Sequence, residues 1–592
     1  MRRNTALGLI FAVSFGLPAY AAEPDGPDSL ISRSDAVRIA IQDKLAAKPT
    51  KRESVQTALA DYYAFPDRKL LWVDDNGLIE RSKGVMAEIG KADDYGLRAS
   101  DYKLPDADGF NPLDGSATDW LADTEIRISN AVLDYANDAR GGRLDPQRLS
   151  KNLDPTLALP NPAEVLESIA IRSDPAAYLR SFQPDQPQFE ALRKKLIELR
   201  GGASPEPEQP EIVTIPEGPT LKLGLKHPQV ALLRTRLEVP AQDGADETVY
   251  DQDVLEAVRR FQSEHGTAPD GLVGAGTRRI LNNPSGARQA RGTANIDVIL
   301  ANMERWRWLP DDLGPFYVMA NIPEFTLRVF EEGKVIHSAR VVIGKPNTQT
   351  AVFSDEMEEI VFNPYWNVPT SIKANEIAPY LQTGGGFFGG GWDTSVLRRH
   401  NLRIRGHSGR DIDPDSVDWS RVDVRTLELY QPPGPGNVLG TMKFVFPNKH
   451  DIYMHDTTQK HLFANAARAE SHGCVRVQNP DRFAQLLLKR DQGWSPVNVT
   501  AAVQGRDDNH IALQQKVPVH MSYFTVTVEE DGSLSTFRDL YGHDARMIAA
   551  LNGSPMAYEQ SAPEIAAIEG RPRGRARKRD FSSDFTRTLF GF

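Results

Sequence analysis

Between about Ser34 and Arg200, hydrophobic residues recur every three or four positions, a spacing that predicts a series of amphipathic helices. One apolar stripe opens in residues 36–41. Another runs through residues 126–135 and is followed by the pair Gly141-Gly142, where a helix would end. The region shows no paired catalytic groups. The pattern therefore predicts a helical scaffold domain over residues 30–200.

A linker and a small helical unit follow this region. Residues 201–220 are rich in Gly, Pro and Glu, a composition that does not pack a core. Within residues 221–285, one helical stripe is formed by Val230, Leu233 and Leu237. A second stripe follows Asp251, a residue suited to the N-cap position. These spacings predict a compact unit behind the linker.

From about Phe316 the pattern changes to short runs of strand-forming residues. Strands are predicted at residues 317–322, 326–330, 335–343, 359–362, 442–446 and 451–454. Residues 331–334 predict a hairpin turn, and helix spacing begins near Pro480. The sequence therefore predicts a mostly β domain over residues 295–505, within a multidomain α+β protein.

An insertion interrupts this β pattern at residues 370–430. It contains glycine triplets at residues 384–386 and 389–391, which favour a hinge or a close approach of the backbone to a ligand. Large aromatic residues give the insertion material with which to pack: Tyr380, Phe387, Phe388 and Trp392. The insertion is therefore predicted to cap a site in the β domain rather than to form a disordered surface loop.

The C-terminal part reads as two segments. Residues 506–560 form a predicted extension, in which residues 517–528 resemble a strand pair that completes the β domain or covers its edge. Residues 561–592 begin with an arginine-rich run and end in scattered aromatic residues. They predict a flexible basic tail, with contact to an anionic polymer or terminal docking as the alternatives.

The N-terminus has the pattern of an export signal. Two arginines precede an uncharged apolar run at residues 7–17, and Ala19-Tyr20-Ala21 supplies small residues for cleavage. Residues 1–22 are therefore predicted to be a signal peptide, with an uncleaved inner-membrane anchor as the alternative. The formal net charge of −11 argues against a general nucleic-acid-binding protein.

Cys474 is the only cysteine among the 592 residues, so no intramolecular disulfide can form. An unpaired cysteine in an exported chain suggests a reactive thiol, whereas an inert buried cysteine normally has apolar neighbours. The neighbours here are polar or small, in the run Ser471-His472-Gly473-Cys474-Val475-Arg476. This context favours a nucleophile.

A second histidine, His455, follows a strand-like run and provides a candidate base for that thiol. Main-chain N–H groups around Gly473 and Cys474 are candidates for binding an oxyanion, since a glycine permits a sharp turn. Either the carboxylate or the main-chain carbonyl of Asp456 could orient the ring of His455.

The other members of the run have less certain roles in the sequence. Arg476 suits either a substrate carboxylate or a structural ion pair. His472 could help the oxyanion site or brace the loop, and Ser471 could hydrogen-bond the turn. A zinc site at His455, His461, His472 and Cys474 is disfavoured by the spacing.

The same residues carry a resemblance to a known family. His455 followed by Ser471-His472-Gly473-Cys474 and Arg476 resembles the signature of L,D-transpeptidases with a YkuD-type catalytic domain, as do residues 363–369 and 437–448. Residues 261–277 resemble the small three-helix peptidoglycan-binding domain, although Thr267 stands where an apolar residue is frequent. The whole layout is most similar to the large periplasmic YcbB-like subgroup.

This resemblance implies a reaction, a substrate and a location. The implied enzyme is periplasmic, attacks the bond between the third residue and D-alanine of a peptidoglycan tetrapeptide stem, and makes a 3→3 crosslink. Cys474 matches the family nucleophile and His455 the base, while His472, Gly473 and Arg476 match the loop that shapes the site. The resemblance implies stem peptides and glycan as ligands, inhibition by carbapenems, and neither cofactor nor metal.

The acyl acceptor remains open in the sequence. An amine of another stem gives a crosslink, water gives an L,D-carboxypeptidase or endopeptidase, and a protein amine attaches an envelope protein to the wall. A non-catalytic wall-binding scaffold is the alternative from another class. It is disfavoured because Cys474 and His455 are both present.

Overall fold

The computed structural model describes residues 32–47, 53–106, 108–201, 213–241, 244–264, 271–282, 296–381, 384–386, 389–391, 393–406 and 408–554. The predicted signal peptide, most of the linker, the basic tail and the side chains of Tyr380, Phe387, Phe388 and Trp392 in the insertion lie outside these residues. The described residues form two compact units, one within Met1–Lys83 and Lys103–Asn130 and the other within Gly84–Tyr102 and Ala131–Phe592.

Helices dominate the first half of the described chain, as the apolar periodicity predicts. They are α1 (Arg33–Ala47), α2 (Glu53–Ala64), α3 (Glu80–Ile89), α4 (Ala117–Gly141), α5 (Pro146–Leu149), α6 (Pro162–Ile171), α7 (Pro175–Arg180), α8 (Pro187–Gly201), α9 (Pro228–Leu237), α10 (Gln252–Glu264), α11 (Ala275–Asn282) and α12 (296–306). The later helices are α13 (Thr370–Ile372), a π-helix (Lys373–Ile377), α14 (Ala378–Leu381), α15 (Ser395–Arg399), α16 (Pro480–Gln492), α17 (Pro496–Gln504) and α18 (His543–Leu551). None of these described helices is both long enough and apolar enough to cross a membrane.

Strands are concentrated after residue 315. They are β1 (Val73–Asp74), β2 (Gly77–Leu78), β3 (Phe316–Asn321), β4 (Thr326–Glu331), β5 (Lys334–Gly344), β6 (Phe353–Phe362), β7 (Trp366–Asn367), β8 (Gly384–Gly386), β9 (Gly389–Gly391) and β10 (Arg403–Arg405). The remaining strands are β11 (Asp411–Ile412), β12 (Glu428–Gln431), β13 (Met442–Val445), β14 (Met454–His455), β15 (Ala469–Ser471), β16 (Val475–Val477), β17 (Asn509–Ser522), β18 (Val526–Val528) and β19 (Leu534–Thr536).

The first unit is organised around the buried carboxylate of Glu125. It accepts hydrogen bonds from the Tyr63 hydroxyl at 2.8 Å, the Trp72 main-chain N–H at 2.9 Å and the Leu71 N–H. The indole of Trp72 donates to Ser129 at 2.9 Å. Burial raises the pKa of Glu125 to about 7. These contacts make a buried polar centre for the helices of this unit.

The predicted small unit contains α9, α10 and α11 around its own apolar core, which includes Val230, Leu233 and Val254. The carboxylate of Asp251 accepts the N–H of Val254 at 3.1 Å, so the predicted N-cap is present. An isolated bridge pairs Leu221 with Val273 and joins the two ends of the unit.

Nine strands form the main sheet, in the order β15-β5-β16-β14-β13-β6-β17-β3-β4, and β4 also pairs with β5. The sheet therefore closes on itself around a large apolar core. The hairpin turn between β4 and β5 is present, with Glu332 and Gly333 at positive φ. The strand expected at residues 451–454 starts only at Met454, because Asp451 takes a left-handed conformation with φ of 53° in the loop before it.

The sheet continues beyond residue 505, where the sequence predicted an extension. Strand β17 pairs antiparallel with β6 and parallel with β3, so it lies inside the sheet and completes it rather than covering an edge. Val519 and Met521 are fully buried in the main core. The expected strand pair at residues 517–528 is instead the end of β17 and the short hairpin of β18 and β19.

The insertion folds around a separate apolar core. Strands β11, β10, β12 and β7 form a four-stranded sheet in that order, and this core includes Trp366, Ile372, Ile377 and Leu429. Tyr453, from the loop before β14, packs against the same core. The insertion is therefore a folded cap whose core reaches the segment that carries the predicted base.

Candidate active site

Strand register places three polar side chains in one row on the main sheet. Lys443 of β13 pairs with His455 of β14, which pairs in turn with Arg476 of β16. Residues directly opposite each other in a sheet point to the same face. The alternate residues of these strands, among them Phe444 and Met454, belong to the main core. The polar row therefore lies on the face opposite that core.

Cys474 and Tyr453 extend this polar face at the starts of β16 and β14. The N–H of Val475 donates to the carbonyl of Tyr453 at 3.1 Å, which aligns the two segments. Because side chains alternate along a strand, Tyr453 lies on the face of His455, and Cys474 on the face of Arg476. The rings of Tyr453 and His455 meet edge to face, with centroids 5.6 Å apart.

The turn that presents Cys474 is closed by the side chain of Ser471. Its hydroxyl donates to the carbonyl of Cys474 at 2.6 Å and accepts the N–H of Gly473 at 3.1 Å. Gly473 has φ of 118°, a conformation that strongly favours glycine. The Gly473 N–H is bound to Ser471, whereas the N–H of Cys474 is a donor at this turn that no described residue accepts.

The loop between β5 and β6 donates hydrogen bonds to the same turn. The carbonyl of Ser471 accepts the N–H of Lys345 and the hydroxyl of Thr348, both at 3.0 Å. The hydroxyl of Thr350 donates to the carbonyl of Gly473 at 2.7 Å. These bonds tie the carbonyls of Ser471 and Gly473 to the β5–β6 loop and fix the path of the chain into Cys474.

The thiol of Cys474 is partly exposed and surrounded by polar groups. Its sulfur lies 3.8 Å from the carbonyl oxygen of Asp451. Desolvation raises the pKa of this thiol above its usual value, while hydrogen bonding from Tyr453 and the charges of Lys443 and Arg476 act in the opposite direction. The group is therefore a neutral thiol at neutral pH, in a setting that favours its thiolate once the proton is removed.

His455 is buried and suited to act as a neutral base. Burial lowers its pKa to about 3, and the charge of Arg476 acts in the same direction. The main chain of Asp456 contacts the ring and opposes the shift. Among the described residues, Nδ1 of His455 has no hydrogen-bond partner. A buried ring nitrogen without a partner is available to accept a proton from the active site.

The carboxylate of Asp456 has a different task. One oxygen accepts both the N–H and the hydroxyl of Thr441 at 3.0 Å, and the other pairs with Lys460. Of the two groups by which the sequence allowed Asp456 to orient His455, the carboxylate is therefore engaged by Thr441 and Lys460 instead. Gly440 makes room for this carboxylate, since a Cβ there would overlap its oxygen.

Arg476 and His472 occupy different surroundings. Arg476 is buried and donates to the side-chain oxygen of Gln459, and burial lowers its pKa to about 10. His472 is partly exposed and pairs through Nε2 with the carboxylate of Glu376 in the π-helix of the cap. The structure thus brings Cys474, His455, Ser471, Gly473 and Arg476 together on the sheet, and turns His472 toward the cap.

Lys443 and Tyr453 were not singled out in the sequence. The Lys443 ammonium lies 4.3 Å from the centre of the Tyr453 ring, and the Tyr453 hydroxyl contacts both Cys474 and Trp366. Period-two spacing from His455 would have indicated Tyr453, but Lys443 depends on strand pairing.

His461, the remaining member of the zinc alternative, is exposed on a short 3-10 turn. In the described ranges, no three His, Cys, Asp or Glu side chains are grouped closely enough to hold a metal ion.

Three family models match this chain. Residues 57–196 match a scaffold domain, residues 226–281 a provisionally named peptidoglycan-binding domain, and residues 315–499 an L,D-transpeptidase catalytic domain of the YkuD type. Together with the fold, these matches confirm a multidomain α+β organisation with a helical scaffold, a small helical domain and a capped catalytic sheet.

A curated protein of Haemophilus influenzae, provisionally named as an L,D-transpeptidase, is 30% identical over 261 residues. The match covers 44% of this chain and 51% of that protein, so the chain spans about half the length of this relative. Among solved structures, an L,D-transpeptidase fragment from Xylanimonas cellulosilytica is 15% identical, with 53% of this chain and all of that chain covered, at a TM-score of 0.14. One from Stackebrandtia nassauensis is 14% identical, with 52% and 95% covered, also at 0.14.

Proposed function

Residues 315–499 match an L,D-transpeptidase catalytic domain, and from this premise we propose that the protein makes 3→3 peptidoglycan crosslinks through a thioester on Cys474. The observation that carries the proposal is that Cys474 and His455 lie on the same face of the sheet. The thiol of Cys474 is partly exposed, and the imidazole of His455 is buried and neutral. A thiol beside a neutral base is the arrangement needed for acyl transfer through sulfur.

The first half-reaction forms the acyl-enzyme. Nδ1 of His455 takes the thiol proton of Cys474 as the sulfur attacks the carbonyl carbon between the third residue of the stem and D-alanine. A C–S bond forms, the C–N bond breaks, and His455 returns the proton to the amine of the departing D-alanine. The low pKa of His455 favours this return, because its imidazolium is a strong acid.

Two donors are placed to stabilise the negative charge that develops on the carbonyl oxygen. The N–H of Cys474 has no acceptor among the described residues, and the Tyr453 hydroxyl contacts the thiol. Both groups are held before the substrate arrives, the first by the Ser471 turn and the second by Trp366. Preorganised donors of this kind contribute to catalysis because they need no rearrangement during the reaction.

The second half-reaction transfers the acyl group to the side-chain amine of another stem. The amine nitrogen attacks the thioester carbon, the C–S bond breaks, and His455 passes the amine's proton to the sulfur of Cys474. Lys443 and Arg476 supply positive charge on the same face, which suits the carboxylates of stem peptides. Water or a protein amine in place of the stem amine would give the carboxypeptidase or the attachment of an envelope protein.

The remaining parts of the proposal concern location and targeting. We propose that the protein is exported to the periplasm, belongs to the YcbB-like subgroup, and uses residues 226–281 to hold glycan near the catalytic sheet. Deletion of residues 221–282 should weaken binding to isolated wall sacculi. Binding equal to that of the full chain would show that this unit is only a spacer.

The reaction itself is tested with purified protein and disaccharide-tetrapeptides. D-Alanine should be released together with a dimer linked between third residues, and mass spectrometry should detect an acyl adduct on Cys474, also with a carbapenem. The change Cys474→Ala should abolish the adduct and both products. Turnover that survives this change would disprove the thioester route, and D-alanine without dimer would indicate hydrolysis.

A further inference from the structure

The cap contacts the catalytic turn through a carboxylate. Oε1 of Glu376, in the π-helix Lys373–Ile377, pairs with Nε2 of His472, two residues before Cys474. Both side chains are about one-fifth exposed, so a ligand at the site can reach them. The contact engages Oε1, and Oε2 can still accept hydrogen bonds from a bound cation.

The main chain on either side of Glu376 is firmly anchored in the cap. The buried Lys373 ammonium donates to the carbonyl of Arg425 at 3.0 Å and to that of Leu427 at 2.9 Å. Ile372 and Ile377 are both buried in the apolar core of the cap. The carboxylate is therefore supported by a rigid segment. Short π-helical segments inside α-helices occur frequently at functional sites.

Charges of opposite sign lie on the sheet and on the cap, both of which meet the segment that carries Cys474. On the sheet, Lys443 and Arg476 present positive charge and raise the fraction of thiolate. On the cap, Glu376 presents negative charge to His472. Anionic groups of a peptide are attracted to the first side and an ammonium to the second, so the two sides differ in the part of the substrates they suit.

We propose that Glu376 and His472 form the binding site for the amine of the acceptor, which deepens and rests on the transpeptidation proposed above. An acceptor amine arrives as an ammonium, which cannot attack a carbonyl. Oε2 of Glu376 binds the ammonium, and Nδ1 of His472, whose Nε2 is engaged by the same carboxylate, takes one proton and later releases it to solvent. The neutral amine then forms the C–N bond, the C–S bond breaks, and its second excess proton passes through His455 to the sulfur.

This assignment predicts a separation of the two half-reactions. The change Glu376→Gln keeps the size and polarity of the side chain but removes the charge that attracts the ammonium. Formation of the acyl-enzyme, which needs no acceptor, should stay within about twofold of the wild-type rate. The ratio of crosslinked dimer to hydrolysed tripeptide should fall about tenfold or more, and the acceptor KM should rise.

The experiment uses the full chain with a tetrapeptide donor and a separate stem acceptor carrying a free side-chain amine. Acylation is followed by D-alanine release in a single turnover, and transfer by chromatography of the products over a range of acceptor concentrations. A matched control is Glu428→Gln, which removes a carboxylate of the same cap that pairs with Arg405 at 3.1 Å. The change Glu376→Asp should restore part of the transfer.

The outcomes separate this inference from its premise. An unchanged ratio of dimer to tripeptide in Glu376→Gln would overturn the acceptor site. Equal losses of acylation and transfer would also overturn it and would make the contact a structural link between cap and turn. If wild-type protein forms no acyl-enzyme, the proposed function fails before the acceptor is involved.

Discussion

The hydroxyl of Ser471 lies 2.6 Å from the carbonyl oxygen of Cys474, and this bond closes the turn that carries the proposed nucleophile. The same hydroxyl accepts the Gly473 N–H, so a single side chain holds both ends of the turn. The turn held in this way leaves the Cys474 N–H available to a substrate.

We expect Ser471→Ala to slow formation of the acyl-enzyme by about 10- to 100-fold, because small displacements of a nucleophile have large effects on rate. The measurement is single-turnover D-alanine release or carbapenem acylation. The loss of unfolding free energy should be about 1–3 kcal/mol, as two hydrogen bonds are removed. A suitable control is Ser533→Ala, in the exposed turn between β18 and β19. A wild-type acylation rate in Ser471→Ala would contradict the role given to this bond.

Lys443 should control how easily Cys474 ionises. The ammonium lowers the pKa of the thiol against the effect of desolvation, so Lys443→Met should shift that pKa upward. The pH profile of alkylation by iodoacetamide should therefore move to higher pH, and the rate at pH 8 should fall several-fold. Lys443→Arg keeps the charge and should move the profile less. Identical profiles for wild type and Lys443→Met would show that the charge has no effect on the thiol.

Asp154 supports the loop that contacts the thiol. Its carboxylate lies 2.8 Å from Lys449 Nζ and 2.8 Å from His450 Nε2, and the next residue, Asp451, provides the carbonyl near Cys474. Burial raises the pKa of Asp154, but Lys449 and His450 outweigh it and keep the carboxylate ionised.

The change Asp154→Asn should therefore lower the free energy of unfolding by about 1–3 kcal/mol and slow alkylation of Cys474. Chemical denaturation and iodoacetamide kinetics check the two effects. The matched control is Asp145→Asn, a nearby N-cap at which asparagine caps as well as aspartate. If the two variants behave alike, Asp154 has no special effect on the loop.

His543 should make the protein sensitive to acid. It is fully buried and, in the part of the chain that the structure describes, neither ring nitrogen has a hydrogen-bond partner. Burial lowers its pKa to about 3, with the charge of Arg305 acting in the same direction. The depressed pKa means that the unfolded chain binds this proton first. The contribution of the neutral histidine to the free energy of unfolding is thus fully present above the unfolded pKa of about 6.5, and it is lost progressively as pH falls toward 3.

We expect His543→Phe to be more stabilising at pH 5 than at pH 8. The difference should be about 2 kcal/mol, from 1.36 kcal/mol per pH unit below the unfolded pKa. Phenylalanine also keeps an aromatic ring beside Tyr523, whose centroid lies 4.8 Å from that of His543. Denaturation curves at the two pH values measure the difference. An equal effect at both would show that His543 does not titrate on unfolding.

Local chemistry was sufficient to predict the helices and to single out a candidate nucleophile. Cys474 is an unpaired thiol among polar neighbours, and His455 follows an apolar run, so the sequence alone indicates both as candidates. The start of α16 at Pro480 and the cap at Asp251 are equally local, because a helix terminus depends on residues within one turn. These features depend on neighbours in sequence, and for that reason they could be predicted without a structure.

Pairing between distant segments was decided by the tertiary structure. The place of β17 between β6 and β3, the register of Lys443 with His455, and the contact of Glu376 with His472 each join residues far apart in the chain. An alternating pattern shows which residues share a face of a strand, but many partners satisfy it equally. Burial of the main core selects one register among them, and that register determines which charges surround Cys474.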